Sequence, residues 1–329
     1  MRNNTLTLAL LVLSGIAIFA ACMLGSTKME LPRFISAVLN ISSSADSIVI
    51  WQIRLPRALA AFVVGAALGA SGAALQGLLR NPLAEPGVLG VTSTAALAAT
   101  FAIYYGFAAR SPYLLPIYSI AGALAATVLL AVSAIRIKSV VTLILLGVGL
   151  SSLSTAIMSV LLNLAPHPVS LSEMINWLLG SVANKSMNDL NVALPFVVVG
   201  LTILFINRRG LSALTLGEEA AAGVGLNLRS LRIAVVIGSG IATGASVALA
   251  GAIGFVGIIA PHVVRPFVGY DPARTLVPSA ILAGLILVVA DIGVRLIPTS
   301  SELKLGVVAA LIGAPVFIWI AVERRIHHG

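Results

Sequence analysis

The composition indicates a membrane protein. The chain has 329 residues, 59% of them hydrophobic and only 9% charged, and its mean hydropathy of +1.08 lies far above that of a soluble domain. The net charge of +9 would suggest nucleic acid as the partner of a soluble protein, but the basic residues lie at the ends of apolar segments, where they set orientation and meet lipid headgroups. We therefore expect no nucleic-acid partner. Cys22 is the only cysteine, which excludes a disulfide framework and a cysteine zinc site.

Ten apolar segments follow one another along the chain. Because a bilayer crossing needs about 20 apolar residues, we predict an all-α polytopic membrane protein with about ten transmembrane helices and no large soluble domain. We interpret the first segment as an uncleaved span, since a lone signal sequence would precede a soluble protein. The segments are 6–24, 57–79, 87–107, 113–135, 140–164, 190–206, 231–252, 254–268, 275–297 and 306–322.

Two arginines lie just before the second segment in an unusual place. Pro56 suits the first turn of a helix, but Arg54 and Arg57 beside it oppose the positive end of the helix dipole. With the N-terminus inside, twelve basic residues lie on the inner side and eight on the outer side, which supports cytoplasmic termini. This orientation puts both arginines on the outer face, against the charge bias. Helix stability alone does not explain them.

An internal repeat lies at an offset of 175 residues. The pattern R-x7-G-x3-G-x-S-x-A begins at Arg57 and again at Arg232. Glycines four residues apart also allow close helix packing in lipid, so plain packing is the alternative interpretation. Five spans separate the copies, and this odd number would make them cross the membrane in opposite directions. We predict one transmembrane domain over 1–329, with a first repeat over 57–165 (helices 2–5) and an inverted second repeat over 231–322 (helices 7–10).

Polar groups that could drive transport are few. Asp291 is the acidic residue inside a span, and Arg295 lies one turn further on, so an internal ion pair is the first interpretation. The segment 208–232 is more informative. We predict a helix from about Ser212, its N-cap, to Ala222, then a glycine turn and a second helix. Such a pair of helices would form a rigid docking surface, although a solvated hairpin is the alternative.

Several long stretches strongly resemble the FecCD family of ABC-importer permeases, whose members carry iron–siderophore complexes, haem or cobalamin across the bacterial inner membrane. The resemblance covers nearly the whole chain, with its motifs in the right order. Two departures are Lys304, where the family usually has proline, and Val294, where it usually has alanine. The stretches are RLPRALAAFVVGAALGASGAALQGLLRNPLAEPGVLG, WLLGS, LTLGEEAAAGVGLNLRSLR, GAIGFVGIIAPHVVRPFVGYDPARTLVPSA, VADIGVR and SELKLGVVAALIGAPVFIWI.

The resemblance implies the membrane subunit of a type II ABC importer. It implies a second permease subunit, as a homodimer or a related pair, with the translocation path between the two. Two cytoplasmic subunits would bind ATP and magnesium, and a periplasmic substrate-binding protein would dock on the outer side. The chain has no G-x-x-x-x-G-K-[ST] loop, so we expect no nucleotide site, catalytic residue or cofactor of its own.

The resemblance also implies roles for three sets of residues. The outer arginines would meet acidic residues of the binding protein, with snorkelling to headgroups as the alternative. A second set would couple the permease to the ATPase, and a third would narrow the inner end of the path, where an ordinary turn is the alternative. The sets are Arg54, Arg57 and Arg295 for docking, Leu216, Gly217, Glu218, Glu219 and Ala220 for coupling, and Asn81, Leu83, Val140 and Val141 for the gate.

The predicted function is alternating-access import of a metal chelate. Haem or a ferric siderophore is the first choice of cargo, and cobalamin is the second. We predict no metal site in the chain, since His167 and His262 have no ligand partner in the sequence pattern, and contact of His167 or Lys304 with the cargo is left open. The alternative from another class is an ion-coupled secondary transporter, which would need no ATPase.

Overall fold

The computed structural model describes residues 2–25, 29–39, 45–111, 113–136, 139–297 and 302–327, and within these ranges the chain forms helices and no strand. The all-α prediction is therefore confirmed. The helices are α1 (Arg2–Met23), α2 (Leu31–Leu39), α3 (Ala45–Ile48), α4 (Leu55–Leu79), α5 (Val91–Tyr104), α6 (Phe107–Arg110), α7 (Leu114–Arg136), α8 (Val140–Asn163), α9 (Pro168–Leu179), α10 (Met187–Ile206), α11 (Arg208–Ala213), α12 (Glu218–Gly223), α13 (Leu228–Ala250), α14 (Val256–Val264), α15 (Pro272–Leu296) and α16 (Leu305–His327).

Each of the ten predicted apolar segments falls on a helix. Among the described residues, seven helices are long and apolar enough to cross a membrane, namely α1, α4 with its N-terminal extension, α7, α8, α10, α13 and α15. Three shorter apolar helices, α5, α14 with the turn after it, and α16, supply the rest. Between these spans lie shorter helices, among them α2, which buries Phe34 and Ala37, and α9. The prediction of about ten transmembrane helices is confirmed.

The second span begins earlier than its apolar pattern suggests. The chain is continuously helical over Ala45–Leu79, because α3 passes into a π-helical turn, Val49–Arg54, that leads directly into α4. Pro56 lies in the first turn of α4, as expected, but α4 is itself the continuation of a longer helix. A π turn widens the helix locally, which accommodates a proline that has no N–H to donate. Arg54 and Arg57 consequently do not lie at the positive end of a helix dipole.

The centre of the bundle is built from small residues. The central helix α4 packs against α15, and α13 packs against α7. On α4, a Cβ at Gly65 would collide with the Ala283 carbonyl, and on α13 a Cβ at Gly240 would collide with Thr127. Only glycine lets the backbones approach this closely, and in lipid such packing is a main source of helix association.

The glycines of the proposed repeat make corresponding contacts in its two copies. In each copy the glycine pair of the first long helix packs on the third helix of the other copy. Ser71 of α4 lies next to Ser239 of α13, whereas Ala67 packs in one cluster with Ala242 and Ala245, which is the order expected of antiparallel helices. The contacts agree with an inverted repeat, while its boundaries at 57–165 and 231–322 stay a prediction.

Candidate functional site

We name the two ends of the bundle by the orientation predicted from the sequence. The outer end holds the start of α4 and the end of α15, and the inner end holds the end of α4 and the start of α15. The predicted docking arginines lie at the outer end, whereas the predicted coupling and gate residues lie at or beside the inner end.

A cluster of charged side chains ties four segments together at the outer end. Arg57 on α4 donates from Nε to the Asp291 carboxylate of α15 at 3.0 and 3.1 Å and from Nη2 at 2.7 Å. The same guanidinium reaches Glu302, just before α16, through Nη1 at 3.2 Å and through Nη2. Arg295 lies one turn along α15, with its Nε 3.2 Å from the second Asp291 oxygen. The predicted pair of Asp291 and Arg295 is thus part of a larger outer cluster, Arg54, Arg57, Asp291, Arg295 and Glu302.

Two of these arginines also hold the end of α1. Arg54 donates from Nη1 to the backbone carbonyls of Cys22 at 3.0 Å and Met23 at 2.7 Å. Arg295 donates from Nη1 to Ala21 at 3.0 Å and Leu24 at 3.1 Å. The last four carbonyls of a helix have no partner within the helix, so the two guanidiniums supply donors where α1 lacks them.

Burial differs sharply between the members of the outer cluster. Arg54 is 5% exposed, and the side chains of Arg57 and Arg295 are 11% and 8% exposed. Glu302 is 37% exposed and is the most accessible member. All three predicted docking arginines therefore have partners within the chain and are largely buried. Their role in docking stays a prediction, to be weighed against this internal role.

The inner hairpin, residues 208–227, is organised differently from the single helix predicted there. Helix α11 ends at Ala213, a 3₁₀ turn covers Leu214–Leu216, and α12 begins after Gly217, whose φ of 97° breaks the helix. Ser212 lies inside α11 and its hydroxyl donates to Asp271, so the predicted N-cap at Ser212 is wrong. Asn227 caps the following helix α13 by accepting from Ser230 N at 3.0 Å.

The inner hairpin presents a mixed surface and is fixed at its base. Glu218 pairs with Arg232 of α13 at 2.7 Å, so this carboxylate, predicted to contact the ATPase, has a partner inside the chain. Leu216 is 67% exposed and Val224 is 71% exposed. Glu219 and Ala220 are exposed between them, while Leu211, Leu214 and Ala221 anchor the hairpin in the core.

The predicted gate residues lie on two separate elements. The Asn81 side chain accepts from Leu83 N at 3.0 Å, which makes a tight turn directly after Arg80, a residue with φ of 47°. Val140 starts α8, and its side chain lies outside what the structure describes, whereas Val141 is 64% exposed. The turn at Asn81 agrees with a break in the helix, and the gate itself stays a prediction.

The two loops that follow the first long helix of each repeat touch one another. Phe255, with φ of 66°, precedes α14, and its backbone N–H donates to Glu85 at 3.1 Å. Non-helical backbone at membrane depth is tolerated where protein satisfies its polar groups, and Glu85 does this for a strained residue. Gln76 likewise donates to the Gly257 carbonyl at 3.3 Å and accepts from Arg265.

A cavity of about 390 Å³ opens at the outer end beside α9. It brings Lys304 together with Lys185, Glu173 and Trp177, and the Lys185 ammonium lies 5.3 Å from the Trp177 ring centre. Burial lowers the pKa of Lys185, and nearby Asp189 partly opposes this effect. His167 is exposed at the N-terminus of α9, and the described residues contain no cluster of metal-ligating side chains.

Sequence reasoning missed Glu302 and Glu85 as partners of functional segments. Glu302 lies 245 residues from Arg57, and Glu85 lies 170 residues from Phe255, so no local spacing points to either pair. The one available signal was composition, since an acidic residue beside an apolar segment of this chain is rare and calls for a cationic or N–H partner.

Comparison with known proteins gives a consistent result. Residues 10–323 match the FecCD transport family. The uncharacterized ABC transporter permease protein YvrB of Bacillus subtilis (strain 168) is 39% identical over 282 residues, which cover 84% of this chain and 79% of that protein. The vitamin B12 import system permease protein BtuC of Citrobacter koseri is 39% identical over 284 residues, which cover 86% of this chain and 85% of that protein.

A solved structure shares the fold along almost the whole length. It is described as an inward-facing conformation of a candidate metal-chelate type ABC transporter, with a TM-score of 0.84 and 30% identity, and the match covers 98% of this chain and 99% of that one. The family match spans nearly every described helix, and the sequence relatives match over most of their own length. The chain belongs to the FecCD transport family.

Proposed function

We propose that the chain is the membrane-spanning permease subunit of a binding-protein-dependent ABC importer that moves a metal chelate across the bacterial inner membrane by alternating access. The proposed assembly has two permease subunits, two cytoplasmic ATP-binding subunits that hold ATP and magnesium, and a periplasmic binding protein. Both termini of this chain lie in the cytoplasm. The permease supplies the path and carries out no chemistry itself.

The observation that carries the proposal is the construction of the inner hairpin. Exposed Leu216 and Val224 flank Glu219 on a surface that has no covering element among the described residues. A hairpin that only joined two spans would not need large apolar side chains in water. Because the Glu218–Arg232 pair fixes α12 to α13, a force on this surface passes into a central transmembrane helix.

The outer cluster supports a docking role in which Arg57 exchanges an internal partner, Glu302, for an acidic residue of the binding protein. Arg57 is saturated by Asp291 and Glu302, but Glu302 is partly exposed and sits on a segment outside the helices. An acidic residue of the binding protein can compete with Glu302 without disturbing the buried Asp291. Arg54 and Arg295 would then act mainly by holding α1 and positioning the surface that the binding protein meets.

The names of the relatives support a metal chelate as the class of cargo. One relative is named for vitamin B12 import and the structural neighbour for metal chelates, and cobalamin is itself a metal chelate. We keep haem and ferric siderophores as candidate cargoes beside cobalamin. Gating at Asn81, Leu83, Val140 and Val141 is part of this proposal, with the turn at Asn81 as its support.

Reconstitution tests the function directly. The permease is placed in liposomes with its ATP-binding subunits and binding protein, and uptake of cobalamin, haem and a ferric siderophore is measured with and without ATP. We expect uptake of one chelate that depends on ATP and on the binding protein. Uptake driven by an ion gradient without the ATP-binding subunits would identify an ion-coupled transporter instead.

Two matched substitutions test the coupling surface. Leu216→Ser removes an exposed apolar side chain from the inner hairpin, and Leu39→Ser removes one that is 77% exposed on α2 near the outer end. A buried interface leucine contributes about 2 kcal/mol, so we expect the first variant to bind the ATP-binding subunits about 30-fold more weakly and the second to bind normally. Equal binding of both variants would place the ATPase contact elsewhere.

Docking is tested through Glu302. If Arg57 meets a carboxylate of the binding protein, Glu302→Gln removes the internal competitor and strengthens association by up to about fivefold, as expected of a partly exposed ion pair. The control Glu173→Gln removes the same charge from the outer end without touching Arg57. If both variants change association equally, Arg57 has only a structural role.

A further inference from the structure

A large cavity lies at the inner end of the bundle. It has a volume of about 840 Å³ and lies between the first turns of α1, the junction of α10 and α11, and the first turn of α15. The proposed function assigns nothing to it. Its walls have a polar part and an apolar part, as the binding site of an amphipathic ligand would.

The polar part is cationic. Arg208 and Arg209 of α11 and Arg274 of α15 line it together with one acidic residue, Asp271, which leaves a net charge of +2. The Asp271 carboxylate is already engaged within the chain, where it accepts from Ala273 N at 3.0 Å and from the Ser212 hydroxyl. Arg274 lies in the first turn of α15, where a cation opposes the helix dipole.

Few acidic side chains neutralise the positive charges of these arginines within the described part of the chain. Arg208 lies with its guanidinium 3.6 Å above the Phe205 ring and donates to the Phe205 carbonyl at 2.9 Å, so it is held in place without a counter-charge. Within the part of the chain that the structure describes, no carboxylate lies within ion-pair distance of Arg208 or Arg209. Arg274 has Asp271 at 3.3 Å, and the Arg274 side chain is still 66% exposed.

The apolar part is formed largely by exposed side chains of α1. Leu8 and Leu11 of α1 line it, and both side chains are exposed on a helix that is long and apolar enough to span the membrane. Phe205 and Val277 continue this wall below the arginines. A ligand that matched the whole cavity would carry a negative headgroup and an adjoining hydrocarbon chain.

We propose that this cavity binds an anionic phospholipid of the inner leaflet. Its phosphate binds Arg208, Arg209 and Arg274, whose planar guanidiniums suit phosphate oxygens, and its acyl chains lie along Leu8 and Leu11. Basic pockets between transmembrane helices on the cytoplasmic side are typical sites of such headgroups. A soluble phosphate compound would use the arginines alone and leave the apolar wall without a partner.

A lipid in this cavity would lie beside a contact between α11 and α15. Ser212 of α11 and Asp271 at the start of α15 join across the wall of the cavity. A lipid bound there bridges the base of the inner hairpin to α15 and stabilises this joint. The proposal takes only the side of the membrane from the proposed function, and lipid binding is measured on the permease alone, so failure of either one leaves the other standing.

The test is lipid binding to the purified permease in detergent by native mass spectrometry. The probes are phosphatidylglycerol, phosphatidylcholine with the same acyl chains, and glycerol 1-phosphate as the soluble headgroup. We expect phosphatidylglycerol to bind at least tenfold more tightly than either other probe. Arg209→Gln with Arg274→Gln should weaken it about 10- to 30-fold, since each basic side chain near a charged lipid surface contributes about a factor of five.

The matched control is Arg136→Gln with Arg229→Gln, which removes two exposed inner-end arginines that do not line the cavity. It should leave binding unchanged. Arg209→Gln alone, at an exposed position, keeps the fold and should weaken binding about fivefold. Equal weakening in both double variants, equal binding of phosphatidylcholine, or equally tight binding of glycerol 1-phosphate would each overturn the proposal.

Discussion

Replacing Asp291 by asparagine would remove a carboxylate that two buried arginines share. Its side chain is 2% exposed and contacts Arg57 and Arg295 together. Removing one partner of a buried ion pair costs about 3–5 kcal/mol, mostly because a cation stays buried without its counter-charge. Arg57 keeps Glu302, so we expect the lower end of this range, a loss of about 3 kcal/mol in the free energy of unfolding.

The measurement is unfolding of the purified permease in mixed micelles, titrated with sodium dodecyl sulfate and followed by tryptophan fluorescence. Glu302→Gln is the internal control, because a half-open ion pair contributes about 0–1 kcal/mol. Asp291→Asn combined with Arg295→Gln removes the charge and one dependent cation together. We expect this double variant to lose less than the sum of the single losses, since the two side chains are in contact.

Two combinations of changes in the free energy of unfolding would contradict this role of Asp291. One such result is that Asp291→Asn and Glu302→Gln both change the free energy of unfolding by less than about 1 kcal/mol. Water would then screen the ion pairs of the outer cluster, and they would not stabilise the fold. If Asp291→Asn is costly but the double variant is fully additive, the loss comes from Asp291 alone and not from the arginines left behind it.

Two further substitutions test the interior and the inner hairpin. Gly72→Ala should lower the free energy of unfolding by about 1–3 kcal/mol, because the new Cβ would collide with the Gly257 carbonyl. The control is Gly15→Ala on α1, whose Cβ meets nothing within 4 Å, and it should be nearly neutral in the same titration. Glu218→Gln should change stability by less than about 1 kcal/mol but raise the ATP hydrolysed per chelate transported, since α12 is no longer tied to Arg232; an unchanged ratio would contradict this role.

The helical bundle could be predicted because length and hydrophobicity determine it almost alone. All ten apolar segments fall on helices, since a span of about 20 apolar residues has one stable form in lipid. Helix ends were less predictable. The second span begins at Ala45 rather than near Pro56, because a π turn lets a polar-flanked segment continue the helix through a proline. Local propensity rules do not include such a turn.

The sequence identifies the charged residues of the outer cluster but not their partners, and the docking, coupling and gate roles stay predictions. Arg54 and Arg57 were expected beside one another on a surface. In the fold they point to different segments, Arg54 to the end of α1 and Arg57 to α15 and Glu302. These contacts join residues 31 to 245 positions apart, and such pairings depend on which helices pack together. A single sequence contains the charges but not the packing.

The two arginines that begin the repeat form ion pairs at opposite ends of the bundle. Arg57 begins the first copy at the outer end and pairs with Glu302, while Arg232 begins the second copy at the inner end and pairs with Glu218. Each arginine therefore fixes a segment outside the membrane to a central helix, α4 or α13, and these two helices pack together. A displacement of either segment reaches the same helix pair. Because α4 and α13 meet through small residues, among them Ala67, Ala242 and Ala245, the two helices pack closely, and this close packing links the two ion pairs within one core.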